Sequence, residues 1–505
     1  MERMTSFLLS VAPIIVLFVC LLVVKLSAKL ASMITFFAAF AEFLFWVKPG
    51  SIGMAITIEK GVMMTVFVGL IAFGAMLLYN LVDVSGGFSI INRWLSNVFR
   101  DRFVLFLMIS WVFSAFLQGI AGYGLPAVIA TTILMKSGFP AAKAAAASLL
   151  GHSWAISFGS MGSSIFAIDL VTSTPQKEIL TGMSRYGSLG MLCCGLGVCF
   201  IYGGAAFVCR GLKYVVPAWA AMTVSLMVMA EYEMVSVIGF VTGMVGVAVM
   251  MVVNRLSDRK ERSMADAGQK RRLFASVLPY LLIILLSLTF FVLNPGLEIS
   301  VSFPGYETLQ GAVVEAKPDY VVFNILKYPF TIILLTTIAS VIYYCRIGRM
   351  ERKQTGLILQ NTIRKIVPTE TTLLFLLCTA SIMMDGGMTT ILSTGIVELT
   401  GSGYPFMASL IGMLGAFITG SNTNSNILFG SLQETAALSL GMEPALMCAV
   451  QSIAASVGGT IGPTTTALVA AAAGKSGQEI EIYKYTLLPT IVTAMMLGLT
   501  NIIFI

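Results

Sequence analysis

The chain has 505 residues, of which 57% are hydrophobic and only 11% charged, with a mean hydropathy of +0.91. A water-soluble fold of that length cannot hide so much apolar surface, so the composition excludes soluble enzymes and nucleic-acid binders and indicates a polytopic membrane protein. The formal net charge of +7 is no nucleic-acid signal, because Lys and Arg fall in short stretches between apolar runs, where they report orientation.

The apolar runs are continuous rather than alternating, so they read as helices, the open-ended structure that satisfies its own backbone in lipid. About 12–16 membrane crossings are expected from their number. The first run, 7–24, is too long for a signal-peptide core and reads as a retained span. Next comes Asp83-Val-Ser-Gly86-Gly87, then three apolar segments broken by Gly, Pro and small polar residues. They are AFLQGIAGYGLP from Ala115 to Pro126, SGFP from Ser137 to Pro140, and SLLGHSWAISFGSMG from Ser148 to Gly162. Two further spans are expected near 215–253, followed by a basic loop over 254–272. Spans near 273–293 and 328–345 flank a connection carrying Glu298, Glu307, Glu315 and Asp319. A second basic loop covers 346–365. Asp385-Gly386-Gly387 then precedes AFITGSNTNSN (Ala416 to Asn426), LGMEP (Leu440 to Pro444) and SIAASVGGTIGP (Ser452 to Pro463). The eight cysteines lie mostly inside apolar runs; Cys193, Cys194 and Cys199 cluster without acidic or His partners and read as packing residues, not a metal site.

The broken segments form an internal repeat. Ala115-Phe116 and Gly119 align with Ala416-Phe417 and Gly420, Pro140 with Pro444, and Ser148 with Ser452. If both basic loops are cytoplasmic, counting spans puts Asp83–Arg102 inside and Asp385–Tyr404 outside. The halves, about 1–208 and 273–505 around a linking section 209–272, are therefore expected to be inverted repeats with discontinuous or re-entrant helices. Unwound backbone at membrane depth must line a cavity or be buried in protein. Helix starts facing such a cavity offer amide donors and partial positive charge, which suits a carboxylate. Single small residues here could equally serve helix packing. The three Asn of Asn422–Asn426 point instead to a wet site. His152, the sole histidine, is either a satisfied buried polar group or a proton carrier.

These same motifs carry a family resemblance. Gln118-Gly-Ile-Ala-Gly-Tyr-Gly-Leu-Pro126 resembles the EGAAGFGAP-like signature of the lactate permease family, Gly138-Phe-Pro-Ala-Ala-Lys143-Ala-Ala its GFPPLKAA stretch, and Thr419 to Gln433 its TGSDTSSNALFGSLQ stretch. The resemblance implies coupled import of small 2-hydroxy monocarboxylates, lactate and glycolate, through a permease of the cell inner membrane, with no enzymatic activity. Its charges differ here: the family's Glu is Gln118, its Asp is Asn422, its Asn before the AFG stretch is His152, and the Lys often found before the second-half Pro is Gly459. Residues and resemblance together nominate Gln118, Gly119, Tyr123, Gly124, His152, Ser153, Ser157, Asn422, Thr423, Asn424, Ser425, Asn426, Gln433 and Thr460 as substrate-binding. His152, Glu434 and Asp385 are nominated for coupling to the ion, which is H+ or Na+; no other cofactor is expected. The partners are thus a small organic anion, a coupling cation and the bilayer. A diverged carboxylate or sulfonate carrier and a passive anion channel are the alternatives, the channel being disfavoured by the two-fold repeat of broken helices.

Overall fold

Uninterrupted apolar sequence becomes helix, and the Gly- and Pro-rich breaks become the points where helices stop. In a computed structural model of the protein, residues 2–122, 124–257, 267–293, 296–309 and 312–504 are described. The first half holds α1 (Glu2–Phe18), α2 (Ala28–Glu42), α3 (Gly50–Val84), α4 (Gly87–Val98), α5 (Arg102–Leu107), α6 (Ser114–Ile120), α7 (Leu125–Lys136), α8 (Ala141–Ser153), α9 (Ser163–Leu170) and α10 (Gln176–Gly203). The linking helices are α11 (Ala205–Glu231) and α12 (Ile238–Ser257). The second half holds α13 (Ala267–Leu293), α14 (Pro329–Arg346), α15 (Lys353–Asp385), α16 (Met388–Thr400), α17 (Tyr404–Thr419), α18 (Asn422–Ser439), α19 (Pro444–Gly458), α20 (Pro463–Ala472) and α21 (Ile480–Phe504). Wider π-helical turns extend α1 and α2 and join α5 to α6 at Met108–Phe113. Among the described residues, thirteen helical segments are long and apolar enough to cross a membrane, within the expected range.

One order of elements occurs twice. A long helix ends at a Gly-Gly pair (α3 at Gly86-Gly87, α15 at Gly386-Gly387), with Gly86 and Gly387 both left-handed at φ 71° and 69°. After an intervening helix come a helix, a break and a second helix (α6–α7, α17–α18), a Gly turn, a further helix (α8, α19), another break and a short helix (α9, α20). The two long helices run antiparallel against each other: Gly61 meets Cys378, Gly69 meets Glu370, and the Asn80 amide donates to Thr362 Oγ1 at 2.9 Å. Glycine at Gly61 is required by that seam, since a Cβ there would lie 2.6 Å from the Cys378 Cα.

The acidic connection before α14 contains structure that hydropathy did not reveal. β1 (Glu298–Phe303) pairs antiparallel with β4 (Lys317–Asn324), and β2 (Tyr306–Glu307) with β3 (Val313–Val314). This strand cap is tied to the start of α3: the Tyr306 hydroxyl lies 2.8 Å from Thr57 Oγ1, and the Leu309 N–H donates to the Lys48 carbonyl at 2.9 Å. Of the first basic loop, Arg259, Lys260 and Arg262 lie outside the described residues.

Candidate functional site

The breaks of both halves converge on one cavity of about 470 Å³. Four helix starts open onto it: α7 at Gly124, α9 at Ser163 and Ser164, α18 at Asn422, Thr423 and Asn424, and α20 at Thr464 and Thr465. Gly124 takes up φ 74° to start α7, and Gly420 takes up φ 68° to end α17, backbone that L side chains rarely adopt. Ser421 caps α18 by accepting from the Asn424 N–H at 3.3 Å. Ser160 and Met161 hold positive φ without being glycine, at 48° and 56°, where the first-half break turns back into α9. Gln118, His152 and Lys29 complete the polar wall, and Pro368, Thr369 and Thr372 of α15 close another side. No Asp or Glu is among the described residues lining the cavity.

The cavity offers both donors and acceptors. The helix starts present N–H groups and partial positive charge. His152 Nδ1 lies 2.7 Å from the Ser148 carbonyl, so Nδ1 carries the hydrogen in the neutral ring and Nε2 is left as an acceptor. Gln118 packs its amide against Gly159, and its Oε1 is buried with no partner among the described residues.

Behind the wall an amide and hydroxyl network binds the halves together. Asn422 Nδ2 donates to the Ser452 carbonyl (2.7 Å), Ser456 Oγ (2.8 Å) and Ser157 Oγ (3.1 Å). Asn426 Nδ2 donates to Ser452 Oγ (2.9 Å), Asn422 Oδ1 (3.0 Å) and the Ser164 carbonyl (3.0 Å). Ser157 and Ser456 are also hydrogen-bonded to each other. Thr423 Oγ1 meets Ser164 Oγ at 2.9 Å, joining the start of α18 to that of α9.

Gln118, Gly124, His152, Asn422, Thr423 and Asn424 are thus brought to one cavity, with Ser157 and Asn426 immediately behind it. Tyr123 lies outside the described residues. The remaining nominated residues are placed elsewhere. Gly119 is a packing residue: it lies inside α6, and a Cβ there would stand 2.2 Å from the Phe240 amide nitrogen of α12. Gly119→Val is expected to lower stability by about 1–3 kcal/mol through overpacking, read as a fall in melting temperature. Ser153 donates to the Leu150 carbonyl at 2.8 Å, and Ser425 to the Gly412 carbonyl at 3.2 Å. Gln433 accepts from the Tyr404 hydroxyl at 2.7 Å and donates to Gln451 Oε1 at 2.9 Å, deep between α17, α18 and α19. The Thr460 hydroxyl is buried beside the second-half break without a partner among the described residues.

Glu434 and Asp385 stand apart from the cavity, each with its charge already engaged. Glu434 Oε1 accepts from the N–H of Ser173 and Thr174 and from Thr174 Oγ1, at 2.6–2.8 Å, and so fixes the loop between α9 and α10. Asp385 pairs with Lys60 Nζ at 2.9 Å and accepts from Thr57 at 2.8 Å. Sequence reasoning missed Lys29, Ser163, Ser164, Thr369, Thr372, Thr464 and Thr465. Extending the repeat past Gly162 and Pro463 would have found both hydroxyl runs, and Pro368-Thr-Glu-Thr-Thr372 is a polar interruption in an otherwise apolar span.

The sequence profile of the L-lactate permease family matches residues 6–505. The chain belongs to the L-lactate permease family. It is 28% identical to the L-lactate permease of Streptococcus iniae over 88% of this chain and 94% of that one. Identity is 26% to the L-lactate permease of Bacillus subtilis (95% and 92% covered) and 26% to the glycolate permease GlcA of Escherichia coli K12 (99% and 95%). The solved YdaH transporter of Alcanivorax borkumensis aligns at 15% identity and a TM-score of 0.46, with 89% of each chain covered. Family membership makes the chain a multi-pass membrane permease, and its cavity combines the two polar segments in which the resemblance was first visible.

Proposed function

We propose that the chain is a secondary transporter that moves a small 2-hydroxy monocarboxylate, of the lactate and glycolate class, across the cytoplasmic membrane together with a proton. The observation that carries it is a cavity with no carboxylate among the described residues that line it, with four helix starts opening onto it and the His152 Nε2 acceptor in its wall. The helix starts and Lys29 suit the carboxylate. His152 Nε2 suits the substrate hydroxyl, which donates to it. A volume of about 470 Å³ is in the range of small-molecule sites, roughly 300–1,000 Å³. Its relatives' names support the same substrate class.

The two halves, 1–208 and 273–505, are read as inverted repeats around the linking section 209–272, with the basic loops cytoplasmic; the antiparallel seam of α3 and α15 supports this. A proton is favoured over Na+ by the hydroxyl network. The cluster of Ser157, Ser452 and Ser456, which a bare cation would need, is filled by N–H donors from Asn422 and Asn426.

Purified protein in proteoliposomes should accumulate L-lactate under an inward proton gradient and not under a sodium gradient alone. Glycolate should compete about 5- to 150-fold better than acetate, because a missing hydroxyl leaves a buried acceptor unpaired at about 1–3 kcal/mol. Equal competition by the two acids would overturn hydroxyl recognition. Accumulation with both gradients collapsed would overturn coupling.

A further inference from the structure

We infer that Glu370 carries the coupled proton, from a position behind the wall of the substrate cavity in the seam of α3 and α15; this rests on the proton-symport reading above. No acid lines the substrate cavity among the described residues, and its one imidazole, His152, is given to the substrate hydroxyl in the reading above, which leaves the coupled proton to a carboxylate behind the wall. Glu370 is the acid so placed. On α15 it is flanked by Thr369 and Thr372, which line the substrate cavity, while its own side chain turns to α3. There it fills the notch left by Gly69, where a Cβ would lie 2.2 Å from Oε2. Its Oε1 is buried and without a hydrogen-bond partner among the described residues.

A second cavity, of about 530 Å³, lies under the strand cap. Phe67, two residues before Gly69 and so on the opposite face of α3, lines it together with Tyr328. The Phe67 ring packs on Tyr328 at 5.1 Å and on Phe166 at 5.4 Å. The helix α9 touches the substrate cavity with Ser163 and Ser164 and the second cavity with Phe166, Asp169 and Leu170. The short helix α9 thus borders both spaces.

The charged groups on the elements around α15 are otherwise committed or distant. On α3, Lys60 pairs with Asp385, and Asp83 lies at the far end of the helix near Lys365. On α2, Lys29 lines the substrate cavity, and Glu42, whose Oε2 is also buried without a partner among the described residues, lies at the opposite end of that helix, away from the cavity. On α16, Glu398 lies in the last turn, and on α18, Glu434 is held by Ser173 and Thr174. Tyr328 is the titratable group closest in, and its hydroxyl is spent donating to the Phe67 carbonyl at 2.5 Å. No described ion pair includes Glu370. A carboxylic acid there is tolerated neutral and is costly as an anion, so it must take its proton along when the notch is closed and yield it when water reaches the notch.

The test uses full-length protein in proteoliposomes with radiolabelled L-lactate. Glu370→Gln should keep lactate/lactate counterflow while gradient-driven accumulation and lactate-induced alkalinisation outside the vesicles fall at least about tenfold; Glu370→Asp should keep both. Full accumulation by Glu370→Gln, with the wild type proton-driven, would overturn the role of Glu370 alone. A wild type indifferent to the proton gradient would overturn symport itself and Glu370 with it. Loss of counterflow in both variants would make Glu370 a structural residue and equally overturn the inference.

Discussion

Asp385→Asn is expected to destabilise the protein by about 3–5 kcal/mol, the usual cost of stripping one partner from a buried ion pair. Lys60 is 3% exposed and Asp385 11%, so neither charge has water to fall back on. The amide would leave the Lys60 ammonium, which now contacts both carboxylate oxygens at 2.9 and 3.0 Å, facing a neutral group. Thr57 and Tyr306 also converge on Asp385 Oδ2, at 2.8 and 3.4 Å, so the strand cap loosens with it. Combining Lys60→Met with Asp385→Leu should recover most of the loss, because removing both charges removes the desolvation cost as well. Thermal unfolding of the purified single and double variants checks this. A double variant no more stable than Asp385→Asn would show that the pair holds α3 to α15 by its geometry and not merely by neutralisation.

The second large effect is expected at Asn422. Asn422→Ala should abolish uptake and lower stability by about 1–3 kcal/mol, since its amide joins α18 to Ser452 and Ser456 on α19 and to Ser157 in the other half. Asn422→Asp is more telling. An ionised carboxylate would set an oxygen against the Ser452 carbonyl, where the amide now donates at 2.7 Å. Only the protonated acid restores a donor. Uptake by Asn422→Asp should therefore approach wild type at low pH and decline as pH rises, in contrast to Asn422→Ala, which no pH rescues. Initial rates across pH for both variants decide it.

Much of this was legible in the amino-acid order. Helices follow from long apolar runs, and the breaks from Gly, Pro and Asn at matching places in two halves. That pairing led directly to Gln118, His152, Asn422 and Asn424 around one cavity. Register was harder. Gly119 and Gly420 align in sequence, yet the first lies within α6 against Phe240 and the second ends α17, because the first break is longer. Charge was hardest. Glu434 lies in the motif-bearing helix α18 but is spent on two loop N–H groups, whereas Glu370 sits in an unremarked span and faces a glycine notch. Only tertiary contacts distinguish a carboxylate already satisfied from one that is not.

The want of any acid among the described residues of the cavity wall has a kinetic side. With Lys29 and four helix starts as its fixed charges, the cavity holds a positive field that draws anions toward its mouth and turns small cations away. Such attraction reaches about 8 Å at physiological ionic strength and shrinks as salt is added. Capture of a dilute monocarboxylate should accordingly slow with rising salt while the maximal turnover of the loaded carrier changes little.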